Sequence, residues 1–257
     1  MAVKKLSVVI LTKNIKDKVR NCLESVKWVD EIVIVDGGST DGTLLIAREY
    51  TDKIIISEFR GFDRERNQGV DASSGDWILQ LDGDEVVTPE FKERLERILE
   101  GVDDGCVSFK FRRKNIFLGR TMMHGGWYHY SAHLFRKGYA RYEGDVHEKL
   151  IVDGKEGKIE EGVLHYPFSS ISELVIRQDR YTSIQAKEMY RKDPEMPFKE
   201  VMYNIKIKPL KLFWKMYVKK QGYKEKIHGF IFSVLFAWVH FLKWAKYWEL
   251  ARESYGK

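Results

Sequence analysis

Apolar residues fall in short unbroken runs near the start of the chain. Leu6 to Leu11 and Glu31 to Val35 have the continuous, β-branched character of strands covered on both faces. Between them Val19, Leu23 and Val26 recur at spacings that put them on one face of a helix. Lys53 to Ser57 reads as a third strand, Asp63 to Ser74 as a helix stopped at Gly75, and Trp77 to Leu81 as a fourth strand ending at Asp82. Thr88-Pro89 is a helix entry, because threonine caps free amides and proline suits the first helical position, and Gly101 closes that helix. Strands alternating with helices over short connections predict an α/β fold, a mostly parallel sheet flanked by helices. From Val107 to about Leu164 the residues become strand-like and turn-rich, and Ser172 to Arg191 reads as a further helix.

At 257 residues the chain is long enough for a large catalytic domain and a smaller appendage, expected as residues 1–200 and 201–257. Its two cysteines, Cys22 and Cys106, supply neither a disulfide framework nor a structural zinc site. No long apolar run precedes the first strand, so a cytoplasmic protein is expected. The net charge of +6 suits nucleic acid, anionic lipid or phosphate-bearing substrates alike, and its distribution is more telling. Lys206, Lys208, Lys211, Lys215, Lys219, Lys220, Lys224 and Lys226 lie among Phe213, Trp214, Tyr217 and Tyr223.

The carboxylates carry the first chemical signal. Ligands of open parallel sheets bind beyond the carboxyl ends of the strands, and Asp36 directly follows one strand while Asp82, Asp84 and Glu85 directly follow another. Asp36 read alone is equally a turn-former that caps the next helix. Asp82-Gly83-Asp84 crowds negative charge in a way that a hard divalent ion, Mg²⁺ or Mn²⁺, would neutralise while staying free to bind a diphosphate. Gly83 is expected to leave room for the ligand to approach.

Four ordered blocks then resemble glycosyltransferase family 2. They are Ser7-Val8-Val9-Ile10-Leu11-Thr12-Lys13-Asn14, Glu31 through Thr43 around Asp36-Gly37-Gly38-Ser39-Thr40-Asp41-Gly42, Arg66-Asn67-Gln68-Gly69, and Leu81-Asp82-Gly83-Asp84-Glu85. The resemblance implies the GT-A nucleotide-diphospho-sugar transferase fold and a metal-dependent, inverting transfer. It implies a nucleotide-sugar donor, UDP-hexose by expectation, bound through Thr12, Asp36, Arg66, Asp82 and Asp84. Phe117-Leu118-Gly119, Gly125-Gly126-Trp127, Leu134-Phe135-Arg136-Lys137, Val146-His147-Glu148 and Leu164-His165-Tyr166 are similar to the branch that adds sugars to lipopolysaccharide core. That likeness implies a glycan or glycolipid acceptor.

Inverting transfer needs a base for the acceptor hydroxyl, and members of this family place the acid late in the domain. Glu148 is the candidate, with Asp145 in reserve; a surface acid on a strand end is the alternative. His165 is a candidate third metal ligand beside Asp82 and Asp84, or else a buried histidine bonded to backbone. Gly126, Trp127 and His147 are candidates for acceptor binding, with core packing as the alternative for Trp127. Arg112, Arg113, Lys114, Arg136 and Lys137 could meet acceptor phosphates or simply be solvated.

Gly229 to Leu242 is too apolar for an ordinary exposed helix. As a helix of about 14 residues it would reach roughly 21 Å, short of a hydrocarbon core of about 30 Å. With the lysines before it, it reads as part of a C-terminal helical, basic-aromatic extension lying on an anionic membrane surface, at the inner face of the cytoplasmic membrane. A homo-oligomer interface is the rival reading, and no nucleic-acid partner is expected. Two other functions compete: a membrane-attached, non-catalytic sugar-nucleotide-binding protein, and a nucleotidyltransferase. The second lacks its Gly-rich basic loop at Thr12-Lys13-Asn14.

Overall fold

A computed structural model describes residues 3–58, 61–144 and 149–255. In chain order the elements are β1 (Leu6–Thr12), α1 (Lys16–Val26), β2 (Glu31–Asp36), α2 (Thr43–Ala47), β3 (Ile54–Ile56), α3 (Phe62–Ala72), β4 (Trp77–Asp82), β5 (Glu85–Val87), α4 (Pro89–Leu99), β6 (Ser108–Phe117), β7 (Arg120–Thr121), β8 (His129–Arg136), β9 (Ala140–Glu143), β10 (Lys149–Val152) and β11 (Glu156–Phe168). Helices follow: α5 (Ile171–Lys192), α6 (Phe198–Lys206), α7 (Lys208–Trp214), a π-helical turn over Lys215–Lys219, a 3₁₀ turn over Gly222–Glu225, and α8 (Lys226–Tyr255). Packing divides the chain into two units, residues 1–114 with 129–166, and residues 115–128 with 167–257. The boundary expected after residue 200 falls within α6.

In the first unit the chain forms an α/β sheet of order β3-β2-β1-β4-β8-β6-β11-β5. The pairs among β1 to β4 are parallel, as βαβ crossovers require. Beyond β4 the pairs of β4 with β8, β8 with β6 and β11 with β5 are antiparallel. That change coincides with the turn-rich segment, which among its described residues has no helix to carry a parallel return. Strand parity explains why the apolar runs are unbroken. Val8 and Ile10 join Val19, Leu23, Phe91 and Leu95 in one core, whereas Val9, Val33 and Val35 join Val70 and Ile78 in another. Helix α3 comes very close to β1, since a Cβ at Gly69 would lie 2.2 Å from Val9 Cγ1. Helix α4 starts as its sequence indicates, with Thr88 Oγ1 accepting from Phe91 N at 3.2 Å and Pro89 in the first turn.

Glu31 fastens the start of β2. Its carboxylate accepts from Ser7 Oγ at 2.5 Å, Ser74 N at 2.7 Å and Ser74 Oγ at 2.9 Å, and also pairs with Lys53. Burial alone would raise its pKa, but the Lys53, Ser7 and Ser74 bonds bring it down to about 2. A depressed carboxylate stabilises the fold above its unfolded pKa, and that stability is lost as pH falls through the folded value. We expect Glu31→Gln to cost roughly 2 kcal/mol at pH 7, after discounting for solvent around the exposed Lys53 ammonium, with the difference closing between about pH 4.5 and pH 2. Urea denaturation across that range checks this, and a difference independent of pH would refute it.

The second unit holds β7, paired with the end of β6, and helices α5 to α8. Ser170 caps α5 by accepting from Glu173 N at 3.0 Å. Glu225 ties residues 120–124 to the tail: it pairs with Arg120 Nε at 2.8 Å and His124 Nδ1 at 2.7 Å, and accepts from the amides of Met123 and His124. Helix α8 corrects the expected 14-residue segment. It has 30 residues, a rise of roughly 45 Å, and is long and apolar enough by length and composition to cross a membrane. Length therefore does not exclude spanning, and within the second unit α8 packs on α5. Lys246 of α8 bonds Asp179, Thr182 and Ser183 of α5, a helix bearing exposed Arg180 and Lys187.

Candidate functional site

Strand register brings three expected site residues together at the carboxyl edge of the sheet. Thr12 pairs with Asp36 across β1 and β2, and Leu11 pairs with Asp82 across β1 and β4. Asp36 is fully buried. It accepts from Thr12 Oγ1 at 2.7 Å, Gly38 N at 2.9 Å, Ser39 N at 2.6 Å and Ser39 Oγ at 2.7 Å. Those four bonds use the lone-pair directions of a carboxylate, so here Asp36 shapes the Gly-rich loop. Asp41 does the capping: it accepts from Thr43 N at 3.0 Å and Lys16 N at 3.0 Å, at the starts of α2 and α1. Gly83 also has a reason within the chain. A Cβ there would lie 2.2 Å from Ile15 Cδ1, so glycine lets the acidic turn pack on the chain itself.

The acidic turn is neutralised largely by guanidinium groups. Arg66 Nη2 lies 3.1 Å from Asp82 Oδ1, and Arg113 bridges Asp82 Oδ2 at 2.8 Å and Glu85 Oε1 at 2.6 Å. Burial would raise the Asp82 pKa, but Arg66 and Arg113 hold its carboxyl well below the usual range. Glu85 moves the other way, pushed up to about 7 by burial despite Arg113, with Asp82 adding to the rise. Residue His165 arrives through β11, where it pairs with Glu85 of β5, and its Nε2 lies 3.4 Å from Asp84 Oδ1. Burial lowers its pKa and favours neutral imidazole, the form in which histidine ligates metal.

Charge repulsion in the turn thus does not by itself require a metal. Among the described residues no group of three or more His, Cys, Asp and Glu is arranged to hold one. Asp84 and His165 nevertheless form a carboxylate and imidazole pair of the kind a divalent ion takes, while both Asp82 oxygens are engaged by arginines.

The sequence model described as Glycosyl transferase family 2 matches residues 7–150, more than half of the chain. The chain belongs to that family. An uncharacterised glycosyltransferase of Rickettsia bellii (strain RML369-C) is 26% identical over 271 residues, covering 96% of this chain and 87% of its own. The lipopolysaccharide core biosynthesis glycosyltransferase LpsC of Rhizobium meliloti (strain 1021) is 25% identical over 261 residues, covering 95% and 92%. Among solved structures, glucosyl-3-phosphoglycerate synthase of Mycobacterium tuberculosis, in complex with Mn²⁺, UDP-glucose and phosphoglyceric acid, is 23% identical with a TM-score of 0.37, covering 43% of this chain and 44% of its own.

Other expected residues of this family 2 chain lie elsewhere or outside the described part. Asp145, His147 and Glu148 are outside the described residues. Gly126 and Trp127 belong to the second unit, where the Trp127 ring stacks on Phe232 at 4.5 Å and meets Phe117 edge-on. Packing thus accounts for one face of Trp127. Arg112 lies over the Tyr130 ring and pairs with Glu160, and Arg136 pairs with Asp103. Three residues gained roles that spacing did not signal. Arg113 joins the acidic turn, Asn67 exchanges two hydrogen bonds with the Tyr142 backbone, and Tyr142 stacks on His133 and lies under Arg66.

Arg113 serves the buried Glu85 and the half-buried Asp82, so its loss should be costly. Arg113→Met is expected to lower unfolding free energy by about 3 kcal/mol, the scale for breaking a buried ion pair. Adding Glu85→Gln should restore part of this, because it removes the carboxylate left unpaired. Urea denaturation of the wild type, both single variants and the double variant checks the pair. A single-variant loss below about 1 kcal/mol would show that the pair contributes little.

Proposed function

We propose that the protein transfers a hexose from a nucleotide-diphosphate donor, UDP-hexose, to a saccharide or lipid-linked acceptor in lipopolysaccharide or cell-envelope glycan synthesis. The observation that carries this reading is the convergence of Asp82, Asp84, Arg66, Arg113 and His165 beyond the carboxyl ends of β1 and β4 in a family 2 chain. Similarity to LpsC, named for lipopolysaccharide core biosynthesis, supports the pathway.

Asp84 and His165 would hold a divalent metal, which supplies positive charge to the departing diphosphate. Arg66 and Arg113 fix Asp82, so the turn is set before the donor arrives and little reorganisation is needed at the reacting bond. Asp36 orders the loop from Gly37 to Ser39 and through it the nucleotide side of the site. Glu148 takes the acceptor proton, with Asp145 in reserve. One direct displacement inverts the anomeric carbon. The acceptor is met at the inner face of the cytoplasmic membrane.

A panel of sugar nucleotides tests the reading by donor hydrolysis, followed by proton NMR of the transferred product. Turnover of UDP-hexose with an inverted product is expected. Absence of turnover with every donor, or retention of configuration, would overturn it.

A further inference from the structure

Eight lysines and one acid, Glu225, lie between Lys206 and Lys226, and that acid is buried against Arg120 and His124. The lysines therefore act as an almost uncompensated positive patch. Lys215, Lys219 and Lys224 are exposed. Within the same stretch Ile207, Leu210 and Trp214 recur at spacings of three and four, on one face of α7 and its entry. Leu210 is 68% exposed and Trp214 57%.

Helix α8 repeats the pattern. Ile227, Phe230 and Val234 have the same spacing, and all three are exposed. The two helices are joined where Phe213 meets Phe230 edge-on at 5.8 Å, with Tyr217 stacked on Phe213 at 5.4 Å. Thus two neighbouring helices each leave apolar side chains exposed, Leu210 and Trp214 on one and Ile227 and Val234 on the other, in the most basic part of the chain.

We propose that this paired face of α7 and α8 docks on an anionic lipid bilayer, with the Leu210 and Trp214 side chains entering the acyl boundary and Lys215, Lys219 and Lys224 meeting the headgroups. The inference deepens the reading of a membrane-borne acceptor and rests on it. Apolar burial with surrounding lysines is the composition of an interfacial helix, and exposed apolar area of this kind needs an occupant. A second copy of the chain fits less well. A two-fold interface would set the same lysines against each other without an acid to offset them.

Flotation of the full-length protein with vesicles of phosphatidylcholine alone, and with phosphatidylglycerol added, tests the face. Binding is expected with the anionic vesicles and to be weakened, but not abolished, by high salt, because the apolar part resists screening. The double variant Leu210→Asp/Trp214→Asp should lower binding by tenfold or more, on the order of a few buried apolar groups. Changing Lys215, Lys219 and Lys224 to alanine should remove most of the salt dependence. No flotation of the wild type, or unchanged flotation of the double variant, would overturn the proposal. Sedimentation that shows a wild-type dimer dissociated by the double variant would also overturn it, and make the face a subunit interface. UDP-hexose hydrolysis in the same samples separates the two readings. Turnover without flotation removes the docking alone, whereas flotation without turnover upholds the docking and removes the transferase assignment.

Discussion

Replacing Asp84 by alanine is expected to abolish metal-supported donor turnover, a fall of roughly 10³-fold or more, consistent with several kcal/mol of charge stabilisation by a bound divalent ion. Asp84 is the residue of the acidic turn whose carboxylate lies beside neutral His165, while the neighbouring Asp82 is committed to Arg66 and Arg113. Its loss removes a ligand and leaves the pairs of Asp82 with both arginines in place. Stability should therefore change little, and urea denaturation run alongside turnover separates the two effects. His165→Ala should weaken metal dependence in the same direction, seen as a higher metal concentration for half-maximal rate. Full wild-type turnover in excess chelator would overturn the metal assignment, and an equal loss from Asp82→Ala with unchanged stability would move the ligand to Asp82.

Glu148→Gln should lower transfer by at least about 10²-fold, the usual scale for losing a general base, while leaving donor affinity near wild type. The amide keeps the shape of the side chain and cannot accept the acceptor's proton. Donor affinity measured by calorimetry with UDP, and transfer measured under saturating donor, form the decisive pair. A loss of donor affinity with unchanged saturated rate would place Glu148 at the nucleotide. A larger effect from Asp145→Asn than from Glu148→Gln would move the base to Asp145.

The local sequence determined β1 to β4 and the helices of the first hundred residues, but not the three-residue β5. Continuous apolar runs such as Leu6 to Leu11 can be buried only as covered strands, and Thr88-Pro89 carries its own capping chemistry. The position of Asp36 and Asp82 at the carboxyl ends of their strands followed equally directly, because chain order fixes which end of a parallel strand a residue occupies. Local patterns could not assign Arg113 to Asp82 and Glu85. An arginine on a long strand has no periodic signal for its partner, and only the pairing of β6 within the sheet brings it to a turn 28 or more residues earlier in the chain. His165 depended likewise on β11 pairing with β5, a contact across about 80 residues. The closeness of Gly83 to Ile15 was not visible, since Ile15 comes near only after folding. The tail shows the same limit. Its composition marked an apolar helix, whereas the 30-residue extent of α8, continuing past Lys243 and Lys246, and its burial against α5 were set by tertiary packing.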